Sequence, residues 1–98
     1  MSNLQEIAAR LMELSGHVPV GALQELQRAA MEAKQAQETT AMEVAQALGD
    51  SAVLDRLQAN AGEFTSALDQ VVAVVENVIP MAEGYRSVVQ EEAAELLR

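Results

Sequence analysis

LDRLQANAGEFTSALDQVVAVVENV, residues 54–78, is the stretch whose spacing decides the fold. Leu54, Leu57, Ala61, Phe64, Leu68, Val71, Val75 and Val78 recur at alternating steps of three and four. That is the a/d spacing which keeps one apolar seam along one side of a helix. The rest of the chain reads as cover for this seam.

Upstream, Leu23, Leu26, Ala30, Ala33, Thr40 or Ala41, Val44 and Ala47 to Leu48 repeat at helical spacing over about residues 21–48. In the middle of this helix the inward positions are Ala, Gln and Thr, a shallow face that lets a neighbour approach closely. Gly49, Asp50 and Ser51 form the turn: Gly49 suits the left-handed position after a helix, and Asp50 or Ser51 caps the next one. So short a turn makes the two helices antiparallel neighbours. Folding the chain at Gly49-Asp50 opposes Leu54 to Val44, Leu57 to Ala41, Phe64 to Ala33 or Lys34, Leu68 to Ala30 and Val75 to Leu23, so large side chains face small ones. Gly62, among small residues, reads either as a point of close backbone approach or as a tolerated glycine.

Leu4, Ile7, Leu11 and Leu14 predict a first helix over about residues 3–15, capped by Ser2 or Asn3. Residues 15–21, SGHVPVG, interrupt it. The same folding places Pro19 opposite Pro80, so both arms are expected to kink at one level. Leu14, Leu11, Ile7 and Leu4 then run beside Ala82, Tyr85, Val88, Val89 and Ala93. The expected fold is all-α: one helical domain with helices at about 3–15, 21–48, 51–79 and 81–96. It forms a long antiparallel helical hairpin with kinks near Pro19 and Pro80, pairing into a four-helix bundle dimer. The alternative is a three-helix bundle in which the first helix folds back.

A partner is expected because the apolar stripe widens after residue 70. Val71, Val72, Val74, Val75, Val78, Ile79 and Met81 occupy a, d, e and g positions together, more than one opposing helix covers. These seven residues are the candidate interface, for a homo-dimer or a related helical hairpin, or else for a larger protein.

Ninety-eight residues are enough for one small domain with a thin core. Half of them are apolar, yet Phe64 and Tyr85 are the only aromatics; the Ala, Leu, Val and Met that remain suit a helical bundle. Fifteen acidic residues against six basic ones give a formal charge of −9, which repels phosphate backbones and anionic lipid. Nucleic acid and membrane are therefore not expected partners. There is no cysteine, hence no disulfide, thiol nucleophile or thiolate metal site. The first residues lack a basic segment followed by an apolar run. A cytoplasmic chain is expected on synthesis, any export using a route without a cleavable signal peptide.

No catalytic, cofactor-binding or metal-binding constellation is visible, so an enzyme is not expected. His17 is the only histidine and has Leu14, not Glu, three residues before it, which rules out the Glu-x-x-His pairs of a di-iron bundle. It reads as a hinge residue. Tyr85-Arg86 reads as a partly buried ring whose hydroxyl reaches solvent, or else as an exposed recognition pair.

Length near one hundred, an antiparallel helix-turn-helix with Gly49 in the central turn and Ala-rich packing together resemble the WxG family of small type VII secretion substrates and their actinobacterial relatives, over roughly residues 23–89. The position of that family's tryptophan, two before Gly49, is Ala47, and the acid of its export signal, four residues after Tyr85, is Val89. The resemblance implies a dimeric helical hairpin that acts by binding, as an exported substrate or an adaptor in a secretion or conjugation apparatus; the alternative reading is a cytoplasmic dimeric scaffold or regulatory subunit unrelated to secretion.

Overall fold

The structure, a computed structural model, describes residues 2–49 and 52–98. Every regular element among them is a helix: α1 (Ser2–Ser15), α2 (Val20–Leu48) and α3 (Ala52–Leu96). The all-α expectation holds. The expected division of α3 at residue 80 does not: Pro80 lies inside one continuous helix of 45 residues. Proline removes the bond its N–H would donate to the carbonyl of Glu76. Both residues are exposed, so water can take that carbonyl, while Val75 and Ile79 on the inward side hold the helix together.

The break after α1 follows from local chemistry. Gly16, His17 and Val18 donate to the carbonyls of Glu13, Leu14 and Ser15 at 3.1, 2.9 and 3.3 Å, tightening the helix end into a three-residue-per-turn form. The Pro19 carbonyl accepts the first bond of α2, from Leu23 N–H at 3.1 Å, so Pro19 occupies the N-cap, where it has no intrahelical donor to lose. At the far end of α2, Gly49 has φ 59° and its N–H donates to the Ala45 carbonyl at 3.1 Å. This is the left-handed cap expected of it. The capping roles expected of Asp50 and Ser51 lie outside the described residues.

The chain divides into two compact units. One comprises Glu25–Glu76, the antiparallel pair of α2 and the first part of α3. Among its described residues the buried side chains are Ala30 and Val75. The other brings together α1, the start of α2 as far as Gln24, and Asn77–Arg98. There Ala8, Ser15, Val20, Ile79 and Ala93 are buried. Ser15 Oγ donates to the Met12 carbonyl at 2.6 Å and accepts from Gln90 Nε2 at 3.4 Å, so the buried hydroxyl is satisfied. No large side chain is fully buried in either unit. The buried positions are alanine, serine and valine, with Ile79 the one larger side chain among the described residues.

Candidate interaction surface

Within the Glu25–Glu76 hairpin the helices meet along a seam that differs from the expected one by a single residue. On α3 the shielded positions are Leu54, Ala61, Thr65, Leu68, Val72 and Val75; on α2 they are Gln27, Ala30, Lys34, Gln37, Ala41, Val44, Ala45 and Leu48. Leu54, Ala61, Leu68 and Val75 were expected inside and are. Leu57, Phe64 and Val71 were expected inside and are exposed, as is Leu26 on α2. Thr65, Val72 and Gln27 stand in the places of Phe64, Val71 and Leu26, while Gln58, the residue after Leu57, is exposed too. The register moves too: Lys34 pairs with Asp69 rather than lying against Phe64. This is a displacement of about one helical turn. The cause is side-chain size, since Ala30, Ala41, Ala61 and Thr65 let the helices approach where Phe64 and Leu57 would hold them apart.

The same one-residue step recurs in the other unit. On α1 the shielded residues are Ala8, Leu11 and Ser15, while Ile7 and Leu14 face out. On the last part of α3, Ile79, Ala82, Val89 and Ala93 are shielded, while Met81, Tyr85 and Val88 are exposed. Tyr85 is therefore not the partly buried ring expected of it. His17 is exposed in the turn, and no cluster able to hold a metal ion occurs among the described residues.

One residue back along a helix is a rotation of about 100°. Because α2 and α3 run antiparallel in the hairpin, that rotation turns the displaced stripe of each helix to the same side. The grooves confirm it. On this side Thr40 from α2 and Leu57, Asn60 and Phe64 from α3 wall a groove of about 270 Å³. On the other side Glu38 and Met42 of α2 face Gly62, Ser66 and Asp69 of α3. The two faces differ in chemistry. The first carries Leu26, Ala29, Ala33, Ala36 and Ala47 on α2 with Val53, Leu57, Phe64, Val71 and Val74 on α3, and its one ionisable side chain among the described residues is Glu43. The second holds Arg28, Glu38, Asp55, Asp69 and Glu76.

Of the seven residues expected at an interface, Val75 and Ile79 are buried by the chain's own packing and Val72 and Val78 are half-buried. Val71, Val74 and Met81 stand out in solvent, Val74 at 60% exposure. Sequence periodicity had passed over Leu57 and Phe64 as interface residues, because their spacing is that of a seam; Phe64 is 52% exposed. No helix of the described residues is long and apolar enough to cross a membrane. Among known proteins, no family model, no curated protein and no solved structure matches this chain.

Proposed function

We propose that this chain is a non-enzymatic interaction protein that works by packing the apolar face of the Glu25–Glu76 hairpin against helices of a protein partner. The observation that carries this reading is the stripe of Leu57, Phe64, Val71 and Val74, exposed at heptad spacing along α3. Fully burying a side chain of this kind stabilises by roughly 1.5–3 kcal/mol, and a contiguous exposed stripe of them marks a binding surface. The neighbouring groove has an apolar floor, and no cluster able to hold a metal ion occurs among the described residues. Its form suits apolar side chains better than a reacting substrate.

The WxG-type resemblance belongs to this reading. What supports it is Gly49, left-handed at the end of α2 where the chain turns into an antiparallel helix. The role it implies is that of an exported substrate or a secretion adaptor.

The test is site-specific photocrosslinking in the natural host cell. A photoreactive residue replacing Phe64 is expected to give higher-mass adducts, and one replacing Ser66, on the charged face, is expected to give none. Equal labelling from both positions, or none from Phe64, would overturn the assignment of this face.

A further inference from the structure

We infer that the occupant of the apolar face is a second copy of this chain, its hairpin parallel to the first, with α3 of each copy lying on α2 of the other. The inference rests on the reading above that this face binds protein; it adds which protein and in what orientation.

The face is divided by size. Its α3 half presents Leu57, Phe64, Val71 and Val74, and most of its α2 half is alanine. A twofold axis running along the hairpin sets the large half of each copy over the small half of the other, the isologous arrangement in which one patch is its own complement. A twofold axis across the hairpin instead sets large on large and small on small. The first fills the space and the second leaves a void beside a clash.

Level matching supports the same axis. The Lys34–Asp69 pair fixes which residues of α2 and α3 stand at one height. By that register Glu43 and Asn60 share a level, and in the parallel pair the carboxylate of Glu43 meets the amide of Asn60 from the other copy. The Glu43 carboxylate thus finds a donor. With the axis across the hairpin, Glu43 would lie on alanines.

Charge and area agree with a self-pair. The chain carries a net charge of −9, but among the described residues this face holds a single acid, so two like-charged copies meet where their charge is sparse. Residues 26–47 of α2 span about 33 Å at ~1.5 Å per residue, and two helices side by side are roughly 18 Å wide. Such a footprint removes on the order of 1,200 Å² from the pair, the lower edge of the range for stable interfaces.

The chain has no cysteine, so single cysteines report the geometry directly. Ala36→Cys and Ala67→Cys chains are purified separately, mixed under reduction so that subunits exchange, and oxidised. A covalent dimer is expected in the mixture and not from either variant alone. A dimer from Ala36→Cys alone would place α2 on α2 and overturn the proposed axis. No covalent dimer, with light scattering showing a single-chain mass at every concentration, would overturn the second copy as occupant while leaving the Phe64 adducts in cells to judge the face itself. A dimer by scattering that never cross-links in the mixture would put self-association on another surface and overturn the inference.

Discussion

Lys34 Nζ stands 2.6 Å from Asp69 Oδ1, the one ion pair between different helices among the described residues. The hydrogen bond to Asp69 and the charge of that carboxylate, with a smaller contribution from Glu38, raise the Lys34 ammonium above its ordinary 10.5. A raised value in the folded chain means that the pair's contribution is complete below the unfolded value and is lost as pH rises through the folded one. Asp69 is about half exposed and Lys34, on the seam, more than a third exposed, so the effect is small and screened by salt. Lys34 is the only lysine. Thermal melting between pH 9 and roughly 12 is expected to show a steeper alkaline decline in the native chain than in Lys34→Met, the lysine titrating near 10.4 when free. Parallel declines would remove the pair from the folded state in solution.

Val74 and Val75 are chemically identical neighbours with opposite surroundings: Val75 is 5% exposed and Val74 60%. Val75→Ala is expected to cost about 1–2.5 kcal/mol in urea unfolding, from lost burial and the cavity left behind. Val74→Ala, measured at concentrations where the chain is monomeric, is expected to cost under about 0.5 kcal/mol. If the two variants lose the same stability, the inward seam is not the one described.

The one-residue step explains what was legible in the sequence. Helix positions, the break before Val20 and the turn at Gly49 follow from backbone chemistry carried by glycine and proline, and they are where local spacing put them. The seam is different. Leu54, Ala61, Leu68 and Val75 belong to both the shielded line and the apolar line, so periodicity finds them whichever line packs within the chain. Phe64 and Thr65 separate the lines, and here hydrophobicity selects the wrong one. A pattern records how apolar a stripe is; whether it is covered by the same chain depends on how closely two backbones approach. Pro80 was misread for a related reason, because a solvent-facing carbonyl at Glu76 tolerates what a buried one would not.

Gly49 is the position where backbone conformation alone sets the residue. Its φ of 59° lies in the left-handed region, and the space a Cβ would occupy is open, so a substitution there is penalised by the dihedral and not by a clash. Gly49→Ala is expected to lower stability by about 1 kcal/mol, and Gly49→Asn by less, since asparagine tolerates this region. Equal losses in a denaturant titration would point to a steric cause.

Pro80 interrupts the bonding of α3 without ending it. Proline in a helix interior costs ~3 kcal/mol relative to alanine, partly offset by its restriction of the unfolded chain. Pro80→Ala is therefore expected to stabilise the chain by about 1–2 kcal/mol, read as a higher urea midpoint with unchanged slope. A loss of stability would show that α3 depends on the local geometry proline imposes.

Gly62 lies on the charged face of the hairpin. Its position among small residues is compatible with close backbone approach, but a Cβ built there meets nothing within 4 Å, so the glycine carries a helix-propensity cost with no packing return inside the chain. It borders the groove with Ser66 and Asp69, on the charged side, away from Phe64 and Val71. Gly62→Ala is expected to raise stability by about 1 kcal/mol and to leave any self-association unchanged, because the paired copy lies against the opposite face. Phe64→Lys is expected to do the reverse, keeping the helical signal while abolishing association. Were Gly62→Ala to weaken association and Phe64→Lys to spare it, a neighbouring backbone would have to sit against Gly62, and the charged face would be the one that binds.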